Sequence, residues 1–252
     1  VKRGTAIAIA IAAALVFAGT ASASGPSVRP VDAKGLAKVR AYAANAGLSK
    51  DWQDFFVLVA YRESKGRSDV GLGIDAGAPV WADLHGGSAG ESEAAAAARA
   101  YDRNANDLAE CWPRVTYTWG SGGWYGILPA NGLEVFEGTT WHCIHPWTVL
   151  DPAISTVMAI GMARRLMGWD GFKAAPTVLN LRLGWGDPSS MGEPDKLAAK
   201  RDDYEKDARS AGLPVSFLDK RLETRPTFGP SGDPAVLARS LGAELERWLP
   251  NG

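Results

Sequence analysis

The stretch SKDWQDFFVLVAYRES, Ser49–Ser64, decides the fold. Its apolar residues Trp52, Phe55, Phe56 and Val59 fall on one stripe of a helix advancing roughly 100° per residue. Glu63 falls on the same stripe, in the last turn. A carboxylate on the core-facing side of an apolar helix is disfavoured in its ionised form by burial and by the negative end of the helix dipole. Both effects suit a general acid working near neutral pH. The same position also fits a surface acid, or an ion pair with neighbouring Arg62 or Lys65.

The chain around this helix is 252 residues long and almost neutral, with 27 basic and 28 acidic side chains. Its first residues, VKRGTAIAIAIAAALVFAGTASASG, place two basic residues before a short apolar run. Ala21-Ser22-Ala23 then fits a signal-peptidase site, so residues 1–23 are expected to be a secretory signal peptide. The run is short for a membrane span, and no cysteine follows the cleavage site to carry a lipid. The expectation is an exported protein, periplasmic or extracellular, with no membrane anchor after cleavage. Without Lys2 and Arg3 the remainder is slightly acidic, which argues against nucleic acid or an anionic membrane surface as partner. Many of the ten tryptophans cluster between Trp112 and Trp147, where they suit either a core or faces that stack on sugar rings.

Cys111 and Cys143 are the two cysteines. In an oxidising compartment they most simply form one disulfide, which would contribute on the order of 3 kcal/mol. Cys111, His142, Cys143 and His145 could instead offer four zinc ligands, but their spacing matches no usual zinc pattern. No metal and no cofactor are expected.

The remaining pattern is mostly helical. A helix over 33–46, with Leu36, Val39 and Ala43 inward, stops at Gly47. Residues 65–90 are Gly-rich and irregular. Ser88 and Glu91 form a capping box for an Ala-rich helix over about 91–110. Residues 115–147 form a central loop region rich in Gly, Trp and Thr. Asp151-Pro152 starts a helix carrying Ile154, Val157, Met158, Gly161, Met162 and Leu166 and ending at Gly168. A short helix over about 177–183 and a solvated, charged helix over 193–211 follow. Residues 225–230 resemble a linker. A last amphipathic helix through Ala235, Leu237, Leu241, Leu245 and Trp248 could dock on the fold or bind a protein partner.

Three pieces in order give Glu63 a context: Tyr61-Arg62-Glu63-Ser64 at a helix end; Gly123-Trp124-Tyr125-Gly126-Ile127-Leu128-Pro129-Ala130; and the Asp151-Pro152 helix followed by Leu181-Arg182-Leu183-Gly184-Trp185-Gly186. Over residues 50 to about 190 this set resembles the soluble lytic transglycosylase family, which shares the lysozyme-like fold with goose-type lysozymes. The resemblance implies a mainly α-helical, α+β lysozyme-like domain over 24–215 with a central substrate groove. It also implies an inserted helix-containing segment at about 76–115 and a C-terminal extension over 216–252. The insertion follows from the interval between Glu63 and Gly126, which is much longer than the family's, and the Cys111–Cys143 disulfide would pin it.

Glu63 matches the family's sole catalytic acid and Ser64 the serine beside it. Gly126, Ile127 and Leu128 match its Gly-Leu-Met groove motif, preceded by Trp124 and Tyr125. Asp151, Pro152 and Gly184 match later motifs, with Trp185 just beyond. Four features depart: Pro129 replaces Gln, Ser155 replaces Asn, Leu181-Arg182 replaces Tyr-Asn, and the long interval itself. The implied reaction is cleavage of peptidoglycan between N-acetylmuramic acid and N-acetylglucosamine, closing a 1,6-anhydro ring with Glu63 as both acid and base. Hydrolysis as in goose-type lysozymes is the alternative if Asp69, Asp75 or Asp83 faces Glu63 across the groove. The departures equally fit a glycan-binding or assembly protein without turnover. Arg182 bears on this choice, because a cation beside Glu63 would impair it as an acid, whereas one turned to the substrate would bind a lactyl or peptide carboxylate. For Trp124, Tyr125 and Trp185, core packing and sugar stacking remain equal alternatives. For Trp141 and Trp147 packing is preferred.

Overall fold

The computed structural model describes residues 30–68, 121–127, 129–137, 139, 141, 144 and 146–248. The proposed signal peptide, the 76–115 insertion with its capping box, Asp69, Asp75, Asp83, Leu128, both cysteines, His142 and His145 lie outside the described residues. Eight α-helices make up the described part: α1 (Ala33–Asn45), α2 (Lys50–Ser64), α3 (Pro129–Leu133), α4 (Pro152–Leu166), α5 (Asp170–Ala174), α6 (Val178–Gly186), α7 (Pro194–Ser210) and α8 (Pro234–Ser240). Among the described residues β-structure is limited to two isolated bridges, Gly122 with Ile127 and Thr177 with Arg221. The expectation of a mainly helical chain is met.

Helix α1 starts where Asp32 accepts a hydrogen bond from the Gly35 amide at 2.9 Å. It buries Leu36, Val39 and Ala43, as its periodicity predicts. After Gly47, which adopts φ +77°, the chain turns back into α2, and the two helices pack along each other. A single apolar stripe understates α2. Besides Trp52, Phe55, Phe56 and Val59 it buries Val57, Leu58, Ala60 and Tyr61, so its middle is enclosed on all sides. Helix α4 is likewise central, buried from Ala153 to Ile160 and packed against α1, α3, α6 and α8. Asp151 caps it, accepting from the amides of Ala153 and Ile154 at 2.9 and 3.0 Å, with Pro152 in the first helical position.

Three expectations are corrected. The 115–147 region is not all loop, since α3 and a 3-10 turn over Glu134–Phe136 occupy part of it. Residues 225–230 are not a free linker: Trp52 Nε1 donates to the Thr224 carbonyl at 3.0 Å, Arg164 donates to Pro226 at 2.8 Å and also lies over the Phe228 ring. The C-terminal segment is not one helix. It breaks after Leu241 at Gly242 (φ +95°) and resumes as a 3-10 turn over Leu245–Trp248. Ala235, Leu237, Ala238 and Leu245 are buried, so these residues of its apolar face pack within the chain, with α8 against α4.

Candidate functional site

Glu63 stands where α2 ends. Lys65 and Gly66 both take positive φ (56° and 88°), turning the chain sharply out of the helix. The turn is held from α1, whose Asp32 amide donates to the Lys65 carbonyl at 2.8 Å. Gly66 passes so close to α1 that a Cβ on Gly35 would lie 1.9 Å from the Gly66 carbonyl oxygen. Glu63 is thereby placed at the rim of the core rather than inside it, with 27% of its side chain exposed. The burial inferred from its stripe is therefore incorrect: the last turn of α2 emerges from the core that encloses its middle.

The second motif meets the first directly. Gly123–Gly126 form a turn between Gly122 and Ile127, whose amides and carbonyls exchange hydrogen bonds of 3.0 and 3.1 Å. Ser64 Oγ lies 2.9 Å from both the Ala60 and the Trp124 carbonyls, and Trp124 Nε1 donates to the Gly66 carbonyl at 3.0 Å. Gly126 adopts φ +59°, and a Cβ there would lie 2.8 Å from Glu63 Oε2 and 3.0 Å from Glu63 Cβ. Glycine is thus required twice, by conformation and by contact.

The aromatic residues beside Gly126 do not face a groove. Trp124, Tyr125 and Trp185 are buried, as is Ile127. Tyr125 packs edge-on against Phe56, Trp185 packs against Phe55, and Trp185 Nε1 donates to the Tyr125 carbonyl at 2.9 Å. Their place is the packed support beneath the turn, so of the two alternatives left open for Trp124, Tyr125 and Trp185 it is core packing that is observed. Burial also pushes the Tyr125 hydroxyl well above the ordinary tyrosine range, partly offset by its contact with Thr156 at 3.3 Å. Ser155, standing at the family's Asn position, is buried beneath Gly123 without a hydrogen-bond partner for its hydroxyl among the described residues.

The third motif supplies the group that touches Glu63. Arg182, on α6, is 3% exposed, and its Nη2 donates to Glu63 Oε1. Its Nε is buried without an acceptor among the described residues. Two residues on, Gly184 makes room for Met191, whose Sδ would lie 2.1 Å from a Cβ there. Asn180 fixes the same region, donating to the carbonyls of Gly171 and Ala175 and accepting from the Gly192 amide at 2.7–2.9 Å.

Glu63 and Arg182 open onto a cleft of about 350 Å³ between α6, the turn after it and α7. Sequence reasoning missed the other charged and aromatic groups that line it beside Arg62: Asp187, Lys196, Lys200 and Tyr204. Lys196, Lys200 and Tyr204 follow at four-residue intervals on one face of α7, a periodicity present in the sequence but readable there as a solvated surface. Hydrogen bonds from Ser189 and Ser190 hold the exposed Asp187 carboxyl below its usual range. Tyr204 lies near both Arg62 and Arg182; burial pushes its hydroxyl above the usual tyrosine range, and those cations partly offset this. A larger cavity of about 760 Å³ lies between the α1–α2 turn and residues 220–227; its two carboxylates are ion-paired, Asp51 with Lys220 and Glu223 with Arg221. Among the described residues no cluster of His, Cys, Asp or Glu could hold a metal.

No family model, no curated protein and no solved structure matches the chain.

Proposed function

We propose that this is an exported, lysozyme-like peptidoglycan lytic transglycosylase in which Glu63 is the single acid and base. The observation supporting it is the convergence of three sequence-distant segments on one carboxylate: Gly126 lies against Glu63, and Arg182 pairs with it. In the proposed reaction protonated Glu63 gives its proton to the glycosidic oxygen as the C1–O bond breaks. The muramic 6-hydroxyl then attacks C1, returning its proton to Glu63 and closing the anhydro ring. No water and no cofactor enter. Glu63 must first leave Arg182, because protonating it in place would strand a buried guanidinium.

Two observations favour neighbouring readings. Asp187, held ionised at the same cleft, would suit a hydrolytic muramidase. The Glu63–Arg182 pair itself would suit a glycan-binding protein without turnover. Incubating the protein with peptidoglycan and weighing the released fragments separates them: anhydro ends support the transglycosylase, reducing ends the muramidase. Glu63→Gln should lower release by at least about 10²-fold, the scale of a lost general acid. A fully active Glu63→Gln would remove Glu63 from the reaction.

A further inference from the structure

We propose that the cleft between α6 and α7 is a carboxylate-binding subsite, in which a substrate carboxylate takes Arg182 over from Glu63. Its consequence for catalysis rests on the reading of Glu63 as the acid; the subsite itself does not.

A guanidinium grips a carboxylate best through two parallel N–H bonds, and the Nε–Nη2 edge is one such fork. Glu63 uses only half of it: Nη2 is engaged while Nε is buried without an acceptor among the described residues. A carboxylate entering from the cleft and using both N–H groups would make a better partner than the one in place. Arg182 cannot relieve the deficit by turning to water, being 3% exposed.

The rest of the lining suits the same ligand. Lys196 and Lys200 are exposed on one face of α7 and have no ion-pair partner among the described residues. Arg62 is committed to Asp207 at 3.0 Å. Against these cations the cleft presents Glu63 and Asp187, so its balance is positive and attracts anions to its mouth. A cleft of about 350 Å³ holds a small polar group of a glycan rather than several sugars. On a glycan strand the carboxylates are the lactyl group of muramic acid, free where the peptide has been removed, and the carboxylates of the stem peptide. Either would release Glu63 from its cation while adding a bond at Nε. The subsite would then link substrate identity to the protonation that cleavage needs.

Calorimetric titration of the full-length protein with three probes tests this: N-acetylglucosamine, N-acetylmuramic acid and a muramoyl dipeptide. Both carboxylated probes, or one of them, should bind at least about tenfold more tightly than the neutral sugar. The better of the two identifies the lactyl or the peptide source. The double variant Lys196→Gln/Lys200→Gln, altering only exposed side chains, should erase most of that preference. Glu63→Gln should strengthen carboxylate binding several-fold by removing the competing charge. Equal binding of neutral and anionic probes, or a Glu63→Gln variant that binds carboxylates no better, would overturn the subsite. If carboxylates bind as expected but peptidoglycan is never cleaved, the subsite stands and the transglycosylase reading fails.

Discussion

Helix α2 carries two carboxylates that meet arginines from other elements, and the two pairs are built in opposite senses. At Asp54 the carboxylate is the enclosed partner, with 9% of its side chain exposed, while Arg40 and Lys50 are 36% and 77% exposed. At Glu63 the cation is enclosed and the carboxylate faces water. In the first pair two mobile, hydrated cations satisfy one buried anion, and either can be lost to solvent cheaply. In the second a fixed cation has one acceptor among the described residues and an N–H left over. The first arrangement ties α1 to α2. The second holds a group that can be exchanged, which is what a binding site needs.

Removing each carboxylate measures that difference. Glu63→Ala should lower unfolding free energy by about 3 kcal/mol, since it leaves Arg182 buried and unpaired. Asp54→Ala should cost only about 1 kcal/mol, because Arg40 and Lys50 return to water. Denaturant titrations of both variants check the ranking, and a larger loss at Asp54 would reverse the account of which partner is trapped.

Gly126→Ala should disturb the second pair and spare the first. Its methyl would meet Glu63 in a backbone conformation that costs L-residues on the order of 1 kcal/mol. If Glu63 is the acid, displacing it should reduce peptidoglycan cleavage about 100-fold. Unchanged cleavage would detach Gly126 from the site.

The smallest effect near neutrality belongs to Tyr125, in the packed support under the turn. Burial favours its neutral phenol, so the unfolded chain ionises first on raising the pH. Its contribution is complete below pH about 10 and is lost above it, at up to about 1.4 kcal/mol per pH unit. Tyr125→Phe should flatten this alkaline fall while changing little at pH about 7; an unchanged alkaline profile would mean that another group sets it.

Much of the helical layout was legible because it follows from local signals. Asp151 as a helix start, Pro152 in a first turn, and Gly47 as a stop act within a few residues of themselves. The site was legible only in part. Glu63, Gly126 and Arg182 stand out as residues, but Trp124, Tyr125 and Trp185 could be assigned to neither core nor groove from their type. A tryptophan suits both, and the choice depends on what covers it. Lys196, Lys200 and Tyr204 were hidden for the converse reason, since a charged helix face looks the same whether it borders water or a cleft.

By itself the sequence determined most of the long helices, several of their starts and stops, and which three motifs invite comparison. Those properties come from backbone conformation and periodicity. Only the tertiary structure decided that Glu63 emerges from the core and that Arg182 is the buried half of its pair. It also made the groove's aromatics into its support. Burial and pairing depend on which distant segment arrives alongside, and that is settled by packing across the whole fold.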